Sequence, residues 1–276
     1  MNSAEQLLGR TLVLVAHPDD ECIAFGALMQ RMRDPLVVYA TDGAPVDPFF
    51  WRGYGSRAAY AGLRRREARE ALEAAGVRRV EFLAEGRGCA EIFVDQRLYL
   101  ALDAAFERLQ RIAAALKPEA IATLAYEGGH PDHDACNVLG KALARSVGVP
   151  AWEAPLYHRD PRDESRLVLQ RFACESGSER TVRPAETELE RKRRMAGAYG
   201  SQGDFLKTFA LEREVVRPMA EYDYSRPPHD GRLNYEVWQW AMTGAEVCER
   251  LADFVRRQPS KAGTGQATGH SGIGFS

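Results

Sequence analysis

Two short clusters, Ala16-His17-Pro18-Asp19-Asp20-Glu21 and Gly129-His130-Pro131-Asp132-His133, bring together the residue types that bind a divalent metal and move protons. In the first, His17 and Asp20 are three residues apart; in the second, His130 and His133 repeat that spacing. Side chains three apart on one turn of helix share a face. The proline after each leading histidine fixes φ near a helix-start value and lacks a donor, so the chain turns sharply there. His17, Asp20 and His133 together supply two imidazoles and one carboxylate. That set holds a metal while leaving coordination positions open, as a catalytic ion requires. Asp19 and His130 are left over as titratable groups beside it. Read singly, each cluster also has a plainer meaning, since Asp19 and Asp20 could serve only as helix caps. The pair of clusters, each at the end of an apolar run, favours one shared site.

Those apolar runs are Leu12-Val13-Leu14-Val15 and Ala120-Ile121-Ala122-Thr123-Leu124. Strands over 11–16, 36–40, 79–83 and 120–125 alternate with helices over 21–33, 57–75, 96–116 and 134–147. This alternation predicts an α/β fold, a Rossmann-like and mostly parallel sheet with helices on both faces. Ligands bind such sheets at the edge where strands end and helices begin, where both clusters lie. Asp42, in the turn Thr41-Asp42-Gly43 that closes the second strand, could contact substrate hydroxyls or make an Asx turn. The segment 44–56 carries Phe49, Phe50, Trp51 and Tyr54 among prolines and glycines and reads as a lid or specificity wall, with Trp51 a candidate substrate contact. Past Pro150, strands are expected over 152–158 and 166–174 and helices over 186–199 and within 234–257. Residues 1–257 are read as one domain. Residues 258–276, rich in Gly, Ser, Thr and Ala, are expected to form a disordered tail.

A formal net charge of −2 gives no global field that would favour nucleic acid or an acidic membrane. Five dispersed cysteines without a CxxC pair argue against a disulfide scaffold and fit a reducing cytoplasm. The N-terminus lacks the pattern of a signal peptide, and no apolar run is long enough for a membrane anchor.

With both motifs in this order, the chain resembles the PIG-L/LmbE family of metal-dependent N-deacetylases. The resemblance rests on Ala16–Glu21 and His130–His133, each with its preceding strand, and covers about the first 150 residues. It implies that His17, Asp20 and His133 ligate Zn2+, with Fe2+ or another divalent ion as substitutes, and that Asp19 is the general base. It implies that His130 steadies the oxyanion or protonates the leaving amine, with Asp132 orienting it. An arginine that holds substrate phosphate or hydroxyls maps to Arg64, ahead of Glu67 and Gly76-Val77. The family's active-site tyrosine falls at Gly128 here, so Tyr126 is the candidate replacement. Gln202, in Tyr199-Gly200-Ser201-Gln202, resembles a glutamine that approaches the site.

The implied reaction hydrolyses an N-acyl group of a small amino-sugar conjugate to acetate and a free amine. Three other readings stay open: an amidase for thiol-sugar conjugates, a non-haem Fe(II) oxygenase built on the same two-His, one-carboxylate set, and a sugar-binding module without turnover. A homo-oligomer is compatible with all of them.

Overall fold

The computed structural model describes residues 3–258. The expected tail, from 259 onward, lies outside the described residues. The elements run β1 (Thr11–Val15), β2 (Leu36–Tyr39), β3 (Arg79–Phe82), β4 (Ala120–Leu124), β5 (Ala151–Ala154), β6 (Tyr157–Asp160), β7 (Asp163–Leu169), β8 (Arg180–Val182) and β9 (Glu214–Pro218). Helices are α1 (Ser3–Leu7), α2 (Asp20–Phe25), α3 (Arg57–Ala75), α4 (Leu102–Leu116), α5 (Pro131–Val147), α6 (Glu186–Ala198), α7 (Gly203–Leu206), α8 (Asn234–Val237) and α9 (Gly244–Arg257).

Seven strands form one sheet in the order β3-β2-β1-β4-β5-β9-β8, and β6 pairs with β7 in a separate hairpin. The first five are parallel, with Val13 opposite Val37 on one side and Ala122 on the other. β9 and β8 add antiparallel edges. β1 and β4 are buried along their whole length, which explains their unbroken aliphatic sequence. The chain winds outward from β1 toward β3 and from β4 toward β5, so strand order reverses between β1 and β4. Crevices at such reversal points hold ligands in open α/β sheets, and both clusters follow the two central strands.

Local chemistry sets the helix boundaries near the site. α3 begins after Ser56, whose hydroxyl accepts from the Ala59 amide, and ends at Gly76 in the left-handed conformation. α5 starts at Pro131, three residues earlier than the sequence pattern placed it, because His130 caps it by accepting from the Asp132 amide. Asp132 and His133 therefore sit in its first turn. The turn before it is tightly packed: a Cβ at Gly129 would meet the Tyr157 carbonyl at 1.9 Å, so no other residue fits there.

In the second half, the strand expected over 152–158 divides into β5 and β6, and the helical stretch 234–257 divides into α8 and α9. β8 and β9 gave no sequence signal. They are short, and β9 owes its place to a buried ion pair rather than to apolar patterning. Glu214 accepts from the Ala27 and Leu28 amides and pairs with Lys192 of α6 at 2.6 Å, both side chains fully buried.

Candidate active site

At the β1–β4 crevice the two clusters meet. Asp20, the first residue of α2, lies between two imidazoles: its Oδ2 is 3.3 Å from His17 Nδ1 and its Oδ1 is 3.2 Å from His133 Nε2. Oδ2 also accepts from the His17 backbone amide at 2.8 Å, which fixes the carboxylate. The rings of His17, His130 and His133 have centroids 4.3 to 5.3 Å apart. On the other side of its ring, His17 Nε2 lies 3.2 Å from both Asp132 Oδ2 and Asp95 Oδ1, and Asp95 reaches His130 Nε2 at 3.4 Å. The amides of Gln96 and Leu98 donate to the Asp132 carboxylate and hold it in place.

The three imidazoles bring their ligand atoms within 4.8 Å of one another, as a divalent ion needs, and Asp20 joins two of them. Ligand atoms on one ion with ~2.1 Å bonds are separated by about 3.0–3.4 Å, the spacing seen around Asp20. Burial alone would lower the His17 pKa, but the Asp95 and Asp20 carboxylates overcome it and hold the imidazole well above its ordinary value. Burial would raise Asp20, but His133 and His17 hold it well below the usual carboxylate range. His130 moves the opposite way from His17, lowered by burial and by its charged neighbour. Two sets of side chains in this cleft bring their ligand atoms within 4.8 Å of one another, His17 with His130 and His133, and His17 with Asp95, His130 and Asp132; Asp20 belongs to neither.

Asp19 has φ of 135°, a conformation that side-chain-bearing residues rarely adopt. Its amide donates to Glu21 Oε2, and Glu21 in turn accepts from the Tyr199 hydroxyl at 2.6 Å. Burial pushes the Asp19 carboxyl up to about 8, against the opposing pull of Arg64.

The remaining expected residues fall in different places. Arg64 is buried and turned inward, its Nη2 donating to the Pro18 carbonyl at 2.6 Å and to Asp19 Oδ2 at 3.2 Å, with Nη1 on the Gly43 carbonyl. It supports Asp19, whereas the sequence suggested a substrate grip. Gln202 donates to the Tyr60 hydroxyl behind Arg64. Asp42 is occupied by Arg57 at 2.5 Å and by the amides of Ala44 and Asp95, so it acts as a turn residue with an ion pair. Trp51 packs inward against Ala44, Tyr60 and Ala61 and donates to the Pro45 carbonyl. Tyr126 is corrected outright. Its hydroxyl bonds to the Arg226 carbonyl and the Cys248 thiol and its ring lies against Tyr222 and Tyr224, so it does not take the place of a site tyrosine.

Three groups that the sequence did not single out border the histidines. Asp95 sits in an irregular stretch with no histidine or proline to mark it. Trp240 packs edge-on against His130 at 4.9 Å, and Tyr157 against His133 at 5.4 Å.

Residues 12–144 match the PIG-L family, described as GlcNAc-PI de-N-acetylase. The matched segment makes up just under half of the chain. Both clusters and the central strands fall inside it. A probable N-acetyl-alpha-D-glucosaminyl L-malate deacetylase 2 of Bacillus cereus is 30% identical over 154 residues, covering 53% of this chain and 65% of the relative. The match thus spans just under two thirds of that relative's length. An antimicrobial-reagent pseudoaglycone deacetylase has a similar structure, with a TM-score of 0.57, 20% identity, and coverage of 77% of this chain and 99% of that one. A deacetylase of the teicoplanin biosynthesis pathway matches with a TM-score of 0.57 at 19% identity, over 77% and 98% of the two chains. At these identities the two structures show a shared fold. No helix among the described residues is long and apolar enough to cross a membrane.

Proposed function

We propose that this chain is a metal-dependent hydrolase that removes an N-acetyl group from a small amino-sugar conjugate, with residues 1–257 acting as one unit. One observation carries the reading: the Asp20 carboxylate joins His17 and His133 from two strand ends, with Asp19 and His130 beside them as acid–base groups. His17, Asp20 and His133 would hold the ion, and zinc is the first choice for two imidazoles and a carboxylate. When bound, a divalent ion supplies Lewis acidity toward the amide carbonyl and the hydrolytic water.

The chain's own residues do the rest. Asp19, with a pKa near 8 in the metal-free protein, is suited to take a proton from the attacking water near neutral pH. His130 accepts from the Asp132 amide at Nδ1, which places its own proton on Nε2. A neutral imidazole in that tautomer donates a hydrogen bond to charge developing on the amide oxygen. Asp132 and Asp95 orient His17 and His130. Rings stand around the cleft: Tyr157 and Trp240 touch the histidines, and Trp238 and Phe205, each more than a third exposed, extend them. They offer apolar surface to a sugar face or its aglycone. The five cysteines are free thiols, which supports a reducing, cytoplasmic setting.

The test is acetate release from a panel of N-acetylated sugars and sugar conjugates after chelation and reloading with one equivalent of Zn2+, Fe2+ or Co2+. A structurally similar teicoplanin deacetylase is described in a zinc-inhibited form, so an arm with excess zinc is included. Metal-restored acetate release, lost in Asp19→Asn with metal retained, is the expected result. Turnover confined to thiol-sugar amides would move the protein to that substrate class. Metal binding with no hydrolysis of any member would leave the sugar-binding reading. A requirement for dioxygen, which the family match argues against, would restore the oxygenase.

A further inference from the structure

Outside the catalytic cleft the described residues contain two more histidines, His158 on β6 and His229 in the loop before α8, and they face each other. We propose that His158 and His229 form a second binding site for a divalent transition-metal ion, which clamps the 228–233 loop onto the β6–β7 hairpin.

The spacing of the ring centres suits a shared ion. The two ring centroids are 5.5 Å apart at 47°, against 5.3 Å and 46° for His17 and His133, the pair proposed above as metal ligands. Two imidazoles bonded to one tetrahedral ion at ~2.1 Å place their ring centres about 5.3 Å apart. The hydrogen bonding agrees. Each ring is fixed through Nδ1 by a backbone carbonyl, His158 by its neighbour Arg159 at 2.8 Å and His229 by Asp230 at 2.7 Å. A carbonyl can only accept, so both Nδ1 atoms carry the proton and both Nε2 lone pairs are left free. Metal-binding histidines are held in this way. Both Nε2 atoms are buried and neither has a hydrogen-bond partner.

An unpaired buried acceptor is costly, and two beside each other are worse. Burial and the facing ring also hold His158 below its ordinary value, which favours the uncharged form that a metal needs. The Arg171 carbonyl also acts on the His158 ring as a hydrogen-bond acceptor, a contact that a bound ion would displace. His158 is 4% exposed, whereas His229 is only partly covered, so an ion enters from the His229 side. No acidic residue joins the pair closely enough to complete a cluster of three among the described residues, so water fills the remaining positions.

The experiment is metal content after equilibrium dialysis of the full chain against micromolar Co2+ or Zn2+, with Tm measured alongside. Wild type is expected to hold one equivalent more than His229→Ala, and added Zn2+ is expected to raise Tm in wild type more than in the variant. His229→Ala should keep its hydrolytic rate, since the residue touches none of the catalytic groups. His270→Ala serves as a control for the one histidine outside the described residues and should lose nothing. Equal uptake by wild type and His229→Ala overturns the proposal. His158→Gln is the second probe. If it does not fold, His229→Ala alone decides, because its ring is at the surface. His133→Ala separates this site from the catalytic one. If the hydrolase reading fails, His133→Ala keeps its metal while His229→Ala still loses one equivalent.

Discussion

Replacing Arg64 with Met separates two roles for this arginine that give opposite kinetic signatures. In the structure its guanidinium sits 3.2 Å from the Asp19 carboxylate, with both residues buried. An opposite charge at this range lowers a carboxyl pKa by roughly 1–3 units. Asp19 already stands at about 8 with Arg64 present, so its removal raises that value further. The carboxylate fraction at neutral pH then falls, and kcat/KM should fall with it. A bound cation lowers Asp19 in both proteins, so the readout is the displacement of the acid limb of the kcat/KM profile. That limb reports the free enzyme's base. It should move up by ~1–3 units in Arg64→Met, with part of the activity regained at high pH. Arg64→Lys keeps the charge but loses the fork that also serves the Pro18 and Gly43 carbonyls, and should fall between. A rise in KM with an unmoved acid limb would refute this reasoning and restore Arg64 as a substrate grip.

Other consequences are open to direct measurement. Glu214→Ala leaves Lys192 charged and buried without its partner and strips two amides of their acceptor; urea denaturation should show a loss of ~3–5 kcal/mol, and a loss under ~1 kcal/mol would mean the pair is dispensable. Metal-free protein should lose stability as pH rises from about 4 toward 8. Burial raises Glu21 and Asp134 to about 7 and Asp42 to about 6. The native state then holds protons that the unfolded chain has released above about pH 4, and a Tm that climbs over this range would contradict those shifts. Tyr126→Phe removes only the bonds to Arg226 and Cys248, so it should lower stability by ~1 kcal/mol with kcat unchanged; a large drop in kcat would return Tyr126 to the site.

The sequence was legible where chemistry is local. A histidine, a proline and an acid three residues on, after a strand of aliphatics, encode a strand-end turn and a helix start together, and both clusters stand at the β1–β4 reversal. Arg64 lies one helix away, and its partner depends on how α3 packs over the first turn of α2, which residue spacing does not encode. Asp95 and Trp240 are single residues in irregular segments, brought to the histidines by tertiary packing alone. Tyr126 was misplaced for a related reason: one residue past β4, its ring passes into the core beside Tyr222 and Tyr224. The second half obscured itself through polar burial. Glu153, Arg217 and Tyr222 form an internal network in which charged residues occupy strand positions that usually carry aliphatics.

The run Asp19-Asp20-Glu21 shows how three consecutive acids come to do three different jobs. All three are buried, so the difference lies in what each one faces. Asp20 faces two imidazoles and is held ionised, as a ligand must be. Asp19 is raised to about 8 by burial, against the pull of Arg64 and with Asp20 adding to the rise, which leaves it able to exchange a proton near neutrality. Pairs of carboxyls driven apart by their surroundings mark acid–base sites. Adjacent residues on a regular helix would not diverge so far. The φ of 135° at Asp19 takes its side chain off the helix that Asp20 begins, at a strain cost of order 1–3 kcal/mol. Glu21 helps to hold that strain by accepting from the Asp19 amide, and Tyr199 holds Glu21. The third acid is therefore the support that keeps the first one turned away from the second.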